Sequence, residues 1–159
     1  MADKEVLACS KFYVEIDGLD DLVVKKVSGI GVTLEVAGDT LPFGVTKGGK
    51  SQMQATVTGC SNGKVTVEFV DTVEDNRLMK WYEDSHSESI KGGGSSLDWK
   101  AKRKTGSIIL YNQAGGEAAR WNMTGLMPSS YASSKLEAGS TDLATETVEL
   151  VYESLLRVK

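Results

Sequence analysis

Hydrophobic and polar residues alternate in several short stretches of this chain, and that alternation predicts most of its structure. In Lys11–Asp17, Phe12, Val14 and Ile16 fall on one face and Tyr13, Glu15 and Asp17 on the other, the two-residue period of a half-buried strand. Gly18–Asp21 reads as a turn. Ile30, Val32, Leu34 and Val36 then alternate with Gly31, Thr33, Glu35 and Ala37, which predicts a second half-buried strand. Lys64–Val70 reads as another strand. Three more are expected near 98–112, 117–125 and 144–157, with Ala114–Gly116 as the turn between the first two. In the last of these, Val148, Leu150 and Tyr152 should face inward, and Thr147, Glu149 and Glu153 outward.

One segment carries the helical period instead. Leu78, Trp81 and Tyr82 share a helix face, and Thr72 with Asp75 has the spacing of a capping box, so a helix is expected over 73–89. Lys91–Gly94 should end it, because glycine tolerates the left-handed cap conformation. Between Gly38 and Gly63 the residues turn to Gly, Thr, Ser, Lys and Gln, and this predicts a long extended arm, ordered against a neighbour. The pattern as a whole implies a mainly β chain. It predicts a β-sandwich or barrel of two packed sheets with one flanking α-helix, in a single domain over residues 1–159 with the arm at about 38–63.

Composition narrows the function classes. Apolar residues at 40% and charged residues at 25% are globular proportions, and a net charge of −4 lacks the basic excess needed to bind a phosphate backbone. Direct nucleic-acid binding is therefore not expected. No stretch has the length of a membrane span, and the N-terminus lacks the basic start and apolar run of a secretion signal, so synthesis in the cytosol is expected. Cys9 and Cys60 do not form a CxxC pair or a metal knuckle and are expected to be reduced and incidental.

Candidate catalytic groups fail on context. Gly44–Ser51 matches the phosphate-binding pattern GxxxxGK[ST], with Lys50 and Ser51 as its working residues. A functioning loop of that kind follows a buried strand and opens a helix, whereas Gln52–Thr58 alternates like a strand. Val65–Asp71 follows Ser51 too soon to leave room for a crossover helix. His86 is the only histidine, so a nucleophile relay could use no other and a metal site would have to be built from carboxylates and thiols; toward the expected helix end it reads as a solvated residue or a partner of the last carbonyls. The adjacent carboxylates Asp20–Asp21 and Glu74–Asp75 suit a turn and a helix start better than a substrate-spanning acid–base pair. No enzyme activity, cofactor or metal is expected. Lys100, Lys102 and Lys104 share one strand face with Asp98, which is either a solubilising edge or a basic stripe meeting acidic residues of a neighbouring subunit.

Several segments, in order, resemble the tail tube proteins of contractile phages and phage-like contractile injection systems, the group related to the type VI secretion tube protein. They are Phe12–Gly18, Val27–Gly31, Arg103–Tyr111, Arg120–Pro128 and Glu146–Glu153, and they span nearly the whole chain. Where that family has Ala-Trp-Pro, this chain has Leu126-Met127-Pro128.

The resemblance implies a non-enzymatic subunit forming hexameric rings with a shared inner β-barrel, stacked into a tube that a contracting sheath drives through a target envelope to deliver cargo. It implies the sheath, baseplate and tube-terminating proteins as partners. The main tube subunit and a baseplate or terminal component both fit, and a monomeric ligand-binding sandwich is the rival outside the family. Lys47, Lys50, Gln52, Gln54, Lys100, Lys102, Lys104, Glu149 and Glu153 become candidates for subunit contact or for the lumen lining.

Overall fold

A computed structural model describes residues 4–37, 44–52, 54, 56–85 and 102–159 of the protein. The first strand, β1 (Phe12–Ile16), lies where the alternation places it, and Val14 and Ile16 are buried. A turn then leads into β2 (Val24–Ser28), which sequence reasoning missed because Val24 and Val27 are three residues apart, out of the strand period. A bulge between Val24 and Lys26 restores both valines to the core side.

Next come β3 (Val32–Ala37), β4 (Gly44–Val45), β5 (Ser51–Gln52), β6 (Thr56–Asn62) and β7 (Val65–Val70). Helix α1 (Arg77–Asp84) follows, then β8 (Lys104–Tyr111), β9 (Glu117–Ser133), β10 (Thr145–Val151) and β11 (Ser154–Arg157).

Pairing runs in the order β1-β8-β9-β10-β7-β2, with β11 beside β9. The 17-residue β9 joins two sheets: Glu117–Leu126 pairs with β8 and in part with β11, and Met127–Ser133 pairs with β10. The strand was expected near 117–125 and runs on to Ser133, with Pro128 accommodated opposite Leu150, where the β9–β10 register shifts. The two sheets meet at a core of Val14, Ile16, Ile108, Met123 and Leu126 against Val65, Val67, Phe69, Val148 and Leu150. Each of these fully buried side chains contributes roughly 1.5–3 kcal/mol of transfer free energy. Gly106 sits where β8 passes β1, and a Cβ there would lie 2.6 Å from Leu126 Cδ1 and 2.9 Å from the Glu15 carbonyl oxygen. Only glycine permits that approach.

The helix begins later than expected. Glu74 has φ +66°, a left-handed conformation that interrupts a helical start, and the Thr72–Asp75 box does not cap the helix. Instead Asp75 accepts hydrogen bonds from the Arg77 backbone N–H and from Nε and Nη2 of its guanidinium, at 3.2, 3.0 and 2.9 Å. Arg77 thereby holds the Asp75 carboxyl below the usual carboxylate range. Leu78 and Trp81 are buried, and Trp81 Nε1 donates to the Lys102 carbonyl at 3.1 Å, tying the helix to the approach of β8. The expected helix end beyond Ser85, His86, the Lys91–Gly94 stop, Asp98, Trp99 and Lys100 lie outside the described residues. The final strand is not continuous: Tyr152–Glu153 separates β10 from β11, so the chain leaves one sheet and enters the other.

Glu146 points from β10 toward the helix and accepts a short hydrogen bond from the Tyr131 hydroxyl. Burial pushes its carboxyl above the usual glutamate range; the Tyr131 bond opposes this, and the nearby Asp71 and Asp75 add to it. A carboxyl with a raised folded-state pKa contributes stability at pH values below its unfolded pKa, and that stability is lost as pH rises through the folded value. Glu146→Gln should therefore flatten the stability profile, and its advantage over the parent should grow from about pH 4 to pH 7. Urea denaturation across that range checks this; a parallel pair of profiles would contradict it.

Candidate assembly surface

The arm rises from the body as a two-stranded hairpin, β3 against β6, in a sheet of its own. The strand expected to be half-buried in the body is instead exposed throughout, with Val32 at 45% and Leu34 at 58% of their free surface. Its alternation was read correctly, but none of the described residues supplies the wall it should pack on. Register places Leu34 opposite Cys60 and Val36 opposite Val57, so Val32, Leu34, Val36, Val57 and Cys60 form an uncovered, largely apolar face. A lone two-stranded hairpin is marginal in water and is sustained by what it packs against.

The root of the arm is clamped. Tyr152, buried at the break between β10 and β11, donates its hydroxyl to the Gly31 carbonyl at 2.5 Å. Asn62 Nδ2 donates to the carbonyls of Tyr152 and Glu153 at 3.1 and 2.9 Å. Sequence reasoning saw Tyr152 only as the end of an inward-facing alternation and gave Asn62 no role; no local pattern announces a bond across 121 residues. Tyr152→Phe removes the donor and leaves the Gly31 carbonyl with the weaker Gly63 N–H at 3.4 Å. A cost of about 1–3 kcal/mol is expected in urea denaturation.

The tip of the arm carries the candidate phosphate loop. Thr46 N–H donates to the Lys50 carbonyl and Gly49 N–H to the Thr46 carbonyl, both at 2.9 Å, closing a β-turn between β4 and β5. A strand follows Ser51 where a phosphate loop requires a helix, so these amides bond to the loop itself. Lys47, Lys50, Gln52 and Gln54 are exposed on the arm.

The remaining candidates are scattered. Lys102 lies in the turn before β8 and not on a strand, while Lys104 opens β8 with its ammonium 5.9 Å from the Trp81 ring centre. Glu149 lies 3.9 Å from Lys64 Nζ, and Glu153 pairs with Arg103. Both acids thus have partners within the chain; the Lys64–Glu149 pair is exposed and worth little energetically, while Arg103 is half-buried. Glu149 belongs to a polar outer face with Lys26, Thr66, Glu68, Ser130 and Thr147, the opposite side of the sheet from Val67 and Val148.

The other sheet also carries a polar outer face, unforeseen because its residues come from three strands. Arg120 Nε donates to Asn122 Oδ1 at 2.9 Å and Nη2 to Ser107 Oγ at 3.0 Å, with Glu15 and Glu117 at 3.4 Å. Glu15, Ser107, Arg120 and Asn122 line an open polar dish of about 430 Å³ with Asp17 and Asp20. Among the described residues no group of three or more His, Cys, Asp or Glu is placed to hold a metal, and no helix is long and apolar enough to cross a membrane.

The described residues thus form a polar-faced double sheet that carries an exposed, largely apolar arm. Residues 9–156 match the family described as T4-like virus tail tube protein gp19, and the chain belongs to that tail tube family. The fold is also that of solved structures. A chain of the extracellular contractile injection system PVC sheath-tube complex in its extended state aligns with TM-score 0.70 at 17% identity, over 96% of this chain and 90% of that one. A chain of the PVC sheath/tube terminator aligns with TM-score 0.70 at 20% identity, over 99% and 100%. Hcp1 from Flavobacterium johnsoniae aligns with TM-score 0.56 at 15% identity, over 93% and 94%. No curated protein sequence matches the chain.

Proposed function

We propose that this chain is the structural inner-tube subunit of a phage tail or phage-like contractile injection system, forming hexameric rings that stack into a hollow tube. The observation that carries the reading is the tail tube family match over residues 9–156, joined to an arm whose apolar face is exposed among the described residues. Closing edge strands β1 and β2 against neighbouring subunits removes the free sheet edges and makes one barrel around a channel. The outer face of β2, β7 and β10, with Glu68, Thr147 and Glu149, supplies a water-compatible wall for cargo to pass. The arm, with Lys47, Lys50, Gln52 and Gln54, reaches the next subunit. The sheath, baseplate and tube-terminating proteins are the further partners, and the subunit works as a wall, without catalysis.

A second reading within the same apparatus is a tube-terminating or baseplate component, favoured by the equal fold likeness to the terminator structure. Sedimentation of the purified chain over a concentration series tests both. A main tube subunit gives rings that grow into longer polymers, a terminator stops at single rings, and a chain that stays monomeric contradicts the proposal.

A further inference from the structure

We infer that Asn62–Gly63, at the root of the arm, is a self-modification site: spontaneous deamidation, held back by the clamp to Tyr152 and Glu153, turns Asn62 from a hydrogen-bond donor into a carboxylate and unfastens the arm. Among the asparagines of the chain, Asn62 alone is followed by glycine. A glycine there leaves its peptide nitrogen unshielded by a Cβ, so the nitrogen can reach the asparagine side chain. In the reaction the Gly63 nitrogen bonds to Asn62 Cγ, the Cγ–Nδ2 bond breaks, and ammonia leaves carrying the proton from the attacking nitrogen. Water then adds across one carbon–nitrogen bond of the cyclic imide and gives aspartate or isoaspartate. The balance needs no reactant but water.

Both reacting groups are tied up in the folded chain. Asn62 Nδ2, the leaving nitrogen, donates to the Tyr152 and Glu153 carbonyls at 3.1 and 2.9 Å. The attacking Gly63 N–H donates to the Gly31 carbonyl at 3.4 Å, the same oxygen that receives the Tyr152 hydroxyl. These bonds must open before Cγ can swing onto the Gly63 nitrogen. Asn62 is exposed at the end of β6, so water reaches the imide once it forms. The product reverses the clamp. A carboxylate at position 62 only accepts hydrogen bonds and would face two carbonyl oxygens, and isoaspartate also adds a carbon to the backbone opposite Val32. Opening of the arm root is reversible until this bond turns over, and one-way afterwards.

Mass spectrometry of the full-length chain tests this, since cleavage after Lys50 and Lys64 isolates the segment and an amide-to-acid exchange changes its mass. Under native conditions the parent should deamidate far more slowly than the urea-unfolded chain. Tyr152→Phe, shown to be folded by circular dichroism, should speed the reaction roughly fivefold to a hundredfold by easing the local opening. Ile108→Val trims the core of the body and should leave the rate within about twofold of the parent. Asn62→Asp should lower the urea midpoint and speed amide hydrogen exchange in β3 and β6. No mass change in either folded or unfolded chain overturns the site. A folded parent that reacts as fast as the unfolded chain, equal rates in parent and Tyr152→Phe, or the same acceleration by Ile108→Val overturns the clamp as its barrier. An Asn62→Asp variant with the midpoint and exchange of the parent overturns the release of the arm.

Discussion

Gly29→Ala is expected to destabilise the protein by about 3 kcal/mol or more, enough to leave a marginal β-domain largely unfolded. Gly29 has φ +83°, a left-handed conformation costly to residues with a side chain, and a Cβ there would lie 2.3 Å from the Lys64 carbonyl oxygen. The atom in the way is backbone at the entry to β7, whose Val65 and Val67 are fully buried, so it cannot swing aside as a flexible side chain would. Relief requires moving either the end of β2 or the start of β7. Gly31, two residues on, is the internal control: nothing lies within 4 Å of its would-be Cβ. Gly31→Ala should fall within about 0.5 kcal/mol of the parent. Urea denaturation of the two variants checks the contrast, and equal midpoints would show that the arm root is not packed as described.

The double substitution Leu34→Asp and Val36→Asp is expected to abolish assembly at concentrations where the parent assembles fully, with the subunit still folded. Both side chains are exposed in the subunit, so their replacement costs little stability there. In an assembled state each would surrender roughly 1.5–3 kcal/mol of apolar burial, with the added cost of desolvating a carboxylate, which moves the assembly midpoint at least about a hundredfold per contact. Circular dichroism and sedimentation on the same samples separate the outcomes. A folded variant that still assembles like the parent removes the arm from the interface; loss of both fold and assembly would mean that the arm supports the subunit itself.

How far the fold could be read in advance depended on whether its cause was local. The alternation of Phe12, Val14 and Ile16, or of Val148, Leu150 and Tyr152, is a property of neighbouring residues; all of them but Phe12, which is half-buried, lie in the core. The strand at Val32–Ala37 was legible for the same reason, yet its burial was not, because alternation identifies an apolar face without saying what covers it. In β2 a bulge hid the period. The helix start failed because a local cap motif lost to Glu74's backbone and the Asp75–Arg77 pairing. At the candidate site, the exposed Lys and Gln of the arm could be named from composition, but the Tyr152 and Asn62 clamp and the Arg120 network join distant residues and leave no pattern in the chain. The ordered segments that resembled tail tube proteins carried further, because the family match over residues 9–156 spans all of them.

The most direct test of the tube account is electron microscopy of the purified full-length chain. Six-fold rings with an open central channel, stacking into tubes as concentration rises, are the predicted result. A monodisperse single subunit at concentrations well above those at which the arm's apolar face should associate would contradict it.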